Sequence, residues 1–250
     1  MNWPLMHGNI SNSDLALVKN LFDEDNPKLT QGPRVKQFEK EWSRWLGVNH
    51  SIFVNSGSSA NLLTLSALKI LYPKGGEIIV PALTWSSDVI SIFKSGFTPR
   101  FVDINLETLG LNDEKVLQSI NQNTIAVFIT HCQGYNALTD KLLNSLKKKN
   151  IHLIEDVCES HGAMHNNRKV GTFGLMSNFS FYYAHHMSTI EGGMICTKDD
   201  EIAQMLKMVR ANGWDRNLTA TQQNYLRSEY NIESEFQAKY TFYDLGFNFR

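Results

Sequence analysis

The stretch Ser180-Phe-Tyr-Tyr-Ala-His-His-Met-Ser-Thr-Ile-Glu-Gly-Gly193 lies between two runs of strand-forming residues, 175–182 and 194–197. The first run ends near two adjacent histidines. The chain then reaches Glu191 and two glycines, which allow the backbone to turn sharply or to approach a ligand. Imidazole exchanges protons near neutral pH because its ordinary pKa is about 6.5. Histidine pairs at strand ends are also common on surfaces and in core hydrogen bonds, so this stretch alone leaves catalysis and structure open.

The composition is that of one large domain. The chain has 250 residues, of which 42% are hydrophobic and 20% charged, and its formal net charge is −1. Such a balance gives no electrostatic reason to expect a nucleic acid partner. No apolar run approaches the roughly 20 residues of a membrane span, and residues 1–5 lack the features of a signal peptide. Three cysteines, Cys132, Cys158 and Cys196, lie in apolar runs, which favours a reducing, cytoplasmic compartment.

After two predicted helices, strand and helix patterns alternate along the chain. The predicted helices are 15–22, 34–46, 58–71, 86–94, 113–120, 137–149 and 199–210. The predicted strands are 51–54, 77–80, 100–103, 124–130, 151–155, 175–182 and 194–197. Apolar strands separated by helices predict an α/β fold with a mostly parallel central sheet and helices on both faces. Residues 215–240 are polar and unpatterned, and we predict a loop insertion there.

Polar and aromatic residues follow several of these strands, at the end where parallel sheets bind ligands. The run Asn55-Ser-Gly-Ser-Ser-Ala60 opens a helix, and a helix N-terminus favours an anion such as phosphate. It is equally an ordinary serine-rich helix cap. Trp85 is either a core residue or a flat stacking surface, and Asp156 is either a helix cap or a functional carboxylate.

Taken together, these motifs resemble the DegT-type sugar-nucleotide aminotransferases, which are fold-type I pyridoxal phosphate enzymes. In that family a serine, an aromatic run, a lysine and then Glu/Asp-Gly-Gly follow in this order. Here His185 stands at the lysine position, five residues after Ser180 and six before Glu191. A histidine there marks a small branch, the sugar 3-dehydratases. The resemblance covers residues 2–250 and implies the three-layer large domain typical of aspartate aminotransferase.

The resemblance also implies how a cofactor is held. A histidine cannot replace the lysine as a covalent attachment point, so pyridoxal 5'-phosphate or pyridoxamine 5'-phosphate would bind non-covalently. Glycine and serine residues would hold its phosphate, an indole would cover its ring face, and a carboxylate would pair with its ring nitrogen, so that the ring accepts electrons. The implied cofactor-binding residues are Gly57, Ser58, Ser59, Trp85, Asp156, Glu159, Ser180 and Asn248.

Three further residues have implied roles at the substrate. His185 would be the catalytic base and then the acid. His186 and Arg216 would contact the substrate; Arg216 can bind a sugar diphosphate through its guanidinium group, although a plain surface role is equally open. Asn212 departs from the histidine usual in the branch. Asn248 would reach the phosphate of a neighbouring subunit's cofactor, which implies a homodimer.

The implied reaction removes the C3 hydroxyl of a nucleotide-linked 4-keto-6-deoxyhexose in surface-polysaccharide (O-antigen) synthesis, with glutamate as the amino donor. Residues 211–250 contain no cysteine that could hold an iron–sulfur cluster. We therefore expect neither an iron–sulfur reductase as a partner nor a bound metal. An aminotransferase with an unusual histidine and a non-catalytic protein of this fold both remain open. Family members continue beyond the motif 246–250, so residues 1–250 are expected to form the large domain, without a small C-terminal domain.

Overall fold

The computed structural model describes residues 8, 10–233, 235–236 and 240–250. The helices are α1 (Asn12–Phe22), α2 (Pro33–Leu46), α3 (Gly57–Leu71), α4 (Ser86–Lys94), α5 (Asp113–Ser119), α6 (Asp140–Lys148), α7 (Asp200–Val209) and α8 (Ala220–Glu229). The strands are β1 (His50–Val54), β2 (Glu77–Pro81), β3 (Thr98–Val102), β4 (Thr124–Thr130), β5 (His152–Asp156), β6 (Met164–His165), β7 (Arg168–Lys169), β8 (Met176–Ser180) and β9 (Gly193–Thr197).

A seven-stranded sheet with the order β1-β9-β8-β5-β4-β2-β3 forms the centre of the fold. The pairs β8–β5, β5–β4, β4–β2 and β2–β3 are parallel, whereas β9 runs antiparallel to both of its neighbours, β1 and β8. The predicted mostly parallel sheet is therefore confirmed. Because β1 and β8 are both antiparallel to β9, they run in the same direction. The carboxyl ends of β1, β2, β4, β5 and β8 therefore lie along the same edge of the sheet.

Alternate side chains of each strand pack into two separate cores, one on each face of the sheet. In β2, Ile78 and Val80 join a core with residues of α3, α4 and α7, while Ile79 joins a core with residues of α2, α5 and α6. Successive side chains of a strand point to opposite faces, so a strand that is apolar throughout is covered on both sides. The predicted layers, helices on either side of one sheet, are confirmed.

The prediction of a loop over 215–240 is wrong in part, because Ala220–Glu229 forms α8. Thr219 caps this helix, and its side chain and that of Gln222 exchange hydrogen bonds with each other's backbone in a capping box. One buried apolar residue, Leu226, packs with Met208 and Leu218. A single apolar anchor gives too little periodicity to reveal the helix, although the Thr-x-x-Gln cap was a usable signal.

Two other predicted elements are too long. The sixth helix begins at Asp140 rather than Ala137, since the Thr139 hydroxyl accepts the N–H of Leu142 and caps the helix there. Strand β8 ends at Ser180 rather than at residue 182, because the chain turns: the N–H of His185 donates to the carbonyl of Tyr182 at 3.0 Å. The histidine pair therefore lies in the β8–β9 connection and not on a strand.

Within the described ranges, no helix has both the length and the apolar character needed to cross a membrane. The same residues contain no cluster of three or more His, Cys, Asp or Glu arranged to hold a metal ion.

Candidate active site

The first turn of α3 lies directly against the end of β8. The Ser56 hydroxyl caps the helix by accepting the N–H of Ser59 at 3.0 Å. A Cβ atom added to Gly57 would lie 2.7 Å from the Cβ of Ser180 and 3.1 Å from the Sγ of Cys158, so only glycine fits there. The first N–H groups of a helix lack partners within the helix and favour an anion. The structure thus brings the predicted Gly57, Ser59 and Ser180 together in a cradle suited to phosphate, with Ser58 exposed beside it.

Asp156 ends β5 next to this cradle and is almost fully buried. Its Oδ1 accepts the N–H of Cys158 at 2.8 Å, and its Oδ2 accepts Nδ2 of Asn61 at 3.1 Å. Among the described residues, no Lys, Arg or His side chain forms an ion pair with it. A buried carboxylate without a cation is costly, so this one suits a protonated ring nitrogen supplied by a ligand.

A second buried carboxyl group, that of Asp88 on α4, lies beside Asp156. Nδ2 of Asn61 donates to Asp88 Oδ1 at 2.6 Å as well as to Asp156. The hydroxyls of Thr84 and Thr130 donate to Asp88 Oδ2. Burial, and after it the neighbouring Asp156, raises the pKa of Asp88 well above its ordinary value. This network could not be predicted from the sequence, because Asn61 and Asp88 resemble ordinary helix residues, and Thr84 and Thr130 resemble ordinary loop and strand residues.

Trp85 lies at the open side of this network, directly before α4. Its side chain is 64% exposed, and the neighbouring Thr84 hydroxyl bonds to both Asp88 and Thr130. A segment fixed by the Thr84 side chain therefore carries an exposed indole whose faces are open to a flat ring. The arrangement of phosphate cradle, carboxylate and open indole fits a pyridoxal phosphate group.

His185 lies half-buried in the β8–β9 connection, facing two acids. Burial lowers the pKa of His185, whereas Glu159 and Asp156 oppose that shift. Glu159 is held in place because its Oε2 accepts the N–H of Gln133 at 3.0 Å. Gln133 itself has a left-handed backbone with φ 49°. The predicted His185, Glu159 and Asp156 are thus near one another, and the loop residue Gln133 is a further contact that the sequence analysis did not find.

His186 has different surroundings from its neighbour. Its ring stacks on that of His161, with centroids 5.3 Å apart. Burial first, and then His186 and His185, lowers the pKa of His161 to about 3. The predicted substrate role of His186 stays a prediction.

The contacts of the two remaining predicted residues are with other parts of the chain. The guanidinium carbon of Arg216 is 3.7 Å from the ring centroid of Trp214, and the side chain is exposed. Asn248 pairs with Ala211 through a β-bridge and accepts Nε of Arg250 at 2.9 Å. In the described part of the chain, neither residue hydrogen-bonds to the phosphate cradle or to Asp156. Their assigned roles stay predictions.

The sequence matches a known family. The sequence profile of the DegT/DnrJ/EryC1/StrS aminotransferase family matches residues 9–250. The chain belongs to this family. Membership in the DegT/DnrJ/EryC1/StrS family confirms the resemblance inferred from the motifs, and the seven-stranded sheet agrees with the fold-type I architecture of its members.

One relative in this family is GDP-4-keto-6-deoxy-D-mannose 3-dehydratase of Yersinia pseudotuberculosis, which is 35% identical over 254 residues. That match covers 100% of this chain and 63% of the relative. A crystal structure of a GDP-4-keto-6-deoxymannose-3-dehydratase mutant with bound GDP-perosamine superimposes with a TM-score of 0.90 at 34% identity, covering 100% of this chain and 64% of that one.

A second structure of the same enzyme holds a trapped PLP-glutamate geminal diamine. It superimposes with a TM-score of 0.88 at 33% identity and covers 100% of this chain and 64% of that chain. The chain therefore spans a little under two thirds of the length of these relatives. Because the superposition extends over the whole chain, the predicted fold class is confirmed.

Proposed function

We propose that this chain carries the cofactor site of a sugar-nucleotide 3-dehydratase that uses pyridoxal or pyridoxamine phosphate. The observation that carries the proposal is His185, which lies beside Glu159 and Asp156 in the connection where aminotransferases of the family have a lysine. Residues 170–197 contain no lysine. The flanking Lys169 and Lys198 are held elsewhere, one near the ring of Trp45 and the other on the carbonyl of Thr172.

Non-covalent contacts hold the cofactor in this proposal. The N–H groups at the start of α3, with Ser58, Ser59 and Ser180, bind the phosphate. Trp85 stacks on the ring, and Asp156 pairs with the ring nitrogen. When bound, the cofactor supplies an electron sink that makes loss of a C3 substituent possible.

His185 moves the protons of the reaction. Its lowered pKa keeps the imidazole neutral near pH 7, so that a ring nitrogen can accept a proton. The same nitrogen then returns the proton to the oxygen of the departing C3 hydroxyl. Glu159 and Asp156 stabilise the imidazolium between these two transfers, since both carboxylates face the ring.

The substrate is a nucleotide-linked 4-keto-6-deoxyhexose, in agreement with the GDP-sugar bound in the relative. Arg216 contacts the diphosphate and His186 the sugar. Glutamate restores the amine of the cofactor, in line with the glutamate adduct in the second structure. A homodimer, in which Asn248 reaches the partner's cofactor, and a cytoplasmic location in surface-polysaccharide synthesis complete the proposal.

Product analysis tests the proposal directly. The full-length protein is incubated with GDP-4-keto-6-deoxymannose, pyridoxal phosphate and glutamate, and the sugar product is identified by mass. Loss of the C3 oxygen supports the dehydratase. A gained amino group indicates instead an aminotransferase, the activity for which the family is named. No conversion of several nucleotide sugars, together with no cofactor binding, favours the non-catalytic alternative.

A further inference from the structure

The carboxyl groups of Asp88 and Asp156 form a buried pair, and the function proposed above uses only one of them. Asp88 is 0% exposed and Asp156 is 3% exposed. The two side chains are joined through Asn61, whose Nδ2 donates to both. None of the described Lys, Arg or His side chains forms an ion pair with either.

Asn61 is itself fixed in the orientation that serves both acids. Its Oδ1 accepts Nδ2 of Asn178 at 2.8 Å, and Oδ1 of Asn178 accepts the hydroxyl of Thr64 at 2.6 Å. Because its oxygen is occupied in this way, the amide nitrogen of Asn61 must face the carboxyl pair. The bridge between Asp88 and Asp156 is therefore part of a buried network that joins α3, α4, β5 and β8.

Ionising two adjacent carboxyl groups in a buried site costs free energy, because the like charges repel each other and both lose solvation. We therefore expect the pair to hold one proton. Asp88 is the better place for it. Asp156 accepts a backbone N–H, that of Cys158, which is a fixed donor. Among the described residues, the Asp88 carboxyl hydrogen-bonds to the amide of Asn61 and to two hydroxyls, those of Thr84 and Thr130, which bond to each other at 2.7 Å and can accept a hydrogen bond as readily as donate one.

The other titratable groups around the pair supply no positive charge. Burial first, and then Glu159, Asp156 and Asp88, raises the pKa of Cys132 to about 11. Burial, followed by Asp156, likewise raises the pKa of Cys158, so both thiols stay neutral. The nearby imidazole of His185 is neutral at pH 7 because its pKa is lowered.

Asp88 also connects the two parts of the site that meet the cofactor ring. Its Oδ1 accepts a hydrogen bond from the Asn61 amide, which also donates to Asp156. Its Oδ2 is hydrogen-bonded to the hydroxyl of Thr84. Thr84 directly precedes Trp85. One carboxyl group thus links the residue assigned to the ring nitrogen with the segment that carries the stacking indole.

We propose that Asp88 is a protonated positioning residue, which leaves Asp156 as the single ionised carboxylate available to the cofactor ring nitrogen and ties it to the Thr84–Trp85 segment. This inference rests on the proposed cofactor site for its role, but the protonation of Asp88 is independent of any ligand. The two parts are therefore tested separately.

The first test is the pH dependence of thermal unfolding of the cofactor-free full chain. A buried acid whose pKa is raised destabilises the fold increasingly as pH rises above the unfolded value of 3.8. Asp88→Asn removes that cost, so its melting temperature should rise relative to the wild type between pH 4.5 and pH 7.5. The matched control is Glu77→Gln, because the pKa of Glu77 is lowered below 4.5 by its hydrogen bond to Arg100; its relative melting temperature should fall as pH rises toward 4.5 and then stay level up to pH 7.5.

If Asp88→Asn instead loses relative stability as pH rises, Asp88 is ionised and the inference is overturned. If the variant does not fold, infrared spectroscopy of the wild type tests the protonation of Asp88 instead. A carbonyl stretch of a protonated carboxylic acid should be present in the cofactor-free protein at pH 7. Its absence overturns the inference as well.

The second test measures pyridoxamine phosphate binding by equilibrium titration at pH 7. Asp88→Asn stays neutral and polar, so affinity should remain within about threefold of the wild type, whereas Asp156→Asn loses the ion pair and should weaken binding about tenfold or more. Asp88→Ala breaks the link to Asn61 and Thr84 and should weaken binding by about tenfold. Equal losses in Asp88→Asn and Asp156→Asn, or no loss in Asp88→Ala, overturn the positioning role. A wild type that binds no pyridoxamine phosphate refutes the proposed function but leaves the unfolding result valid.

Discussion

The imidazole of His186 stacks on that of His161 at 5.3 Å with an interplanar angle of 28°, whereas the adjacent imidazole of His185 faces the carboxylates of Glu159 and Asp156. Two neighbouring histidines thus have separate surroundings. The His186 ring is stacked on a half-buried imidazole, whereas the charges of two carboxylates act on His185, whose ring also lies edge-on to that of Tyr182. This difference supports the proposed proton transfer by His185 and separates the expected effects of the two substitutions.

Substitution of the two histidines should therefore have unequal effects. A general base typically contributes about 10²–10⁴-fold to rate, so His185→Asn should lower formation of the 3-deoxy product by about a hundredfold or more. His186→Asn, the matched control, should lower it much less because it removes a stacking contact. Product is measured by mass spectrometry under saturating cofactor. A larger loss in His186→Asn than in His185→Asn would reverse our assignment.

The pH dependence of the reaction should follow the lowered pKa of His185. Burial lowers that pKa below 6.5, and Glu159 and Asp156 partly offset the shift. A base acts when deprotonated, so the acid limb of kcat/KM should lie below pH 6.5. Glu159→Gln removes one of the charges that favour imidazolium, and the limb should move to still lower pH. An acid limb that moves upward in this variant contradicts the assigned neighbourhood.

Cofactor linkage should be non-covalent. Because residues 170–197 contain no lysine, borohydride reduction of the loaded protein should leave no pyridoxyl-lysine in the peptide map. His185→Lys is the positive control, since it restores an amine at this position and should give a reducible adduct on the peptide that contains residue 185. An adduct on any lysine of the wild type would show that the loop does not hold the cofactor as we propose.

The contact between Gly57 and Ser180 should be sensitive to a single methyl group. In Gly57→Ala the new Cβ would lie 2.7 Å from the Cβ of Ser180. This overlap should cost about 1–3 kcal/mol of unfolding free energy and weaken phosphate binding. Ser58→Ala, the control at the next residue, meets no such overlap and should stay close to wild-type stability. Chemical denaturation measures both, and equal stability of the two variants would show that the cradle is looser than described.

Glu155 should provide a pH-dependent part of the stability. Burial raises its pKa, but His131 and the backbone N–H groups of Gly171 and Gly174 outweigh that effect and lower it below 4.5. A lowered pKa stabilises the fold above the unfolded value, and the stabilisation disappears as pH falls through the folded value. Glu155→Gln should cost about 3 kcal/mol at pH 7. The deficit should shrink below pH 4.5, and a deficit independent of pH would mean that Glu155 is not ionised.

Much of the fold could be predicted because the strands from β1 to β5 are short, mostly apolar runs separated by helices. The exception, α8, has one buried residue, so tertiary packing rather than periodicity determines it. Positions at strand ends predicted Asp156 and the Gly57 cradle. The Asp88–Asn61 network could not be predicted, since Asp88 and Asn61 lie inside helices and meet only when α3 and α4 pack side by side. The proposed roles of Arg216 and Asn248 depend on groups outside this chain.

Strand β9 lies next to β8 in the sheet and runs in the opposite direction, so Ser180 pairs with Gly193 and the segment between them begins and ends at the same point. The N–H of Phe181 also donates to the carbonyl of Gly192 at 2.8 Å, which closes the base of this segment. A substitution in the middle of this segment therefore leaves the register of the strands unchanged. In evolutionary terms, one codon within a closed loop can replace the residue at position 185 while the architecture around it is inherited intact.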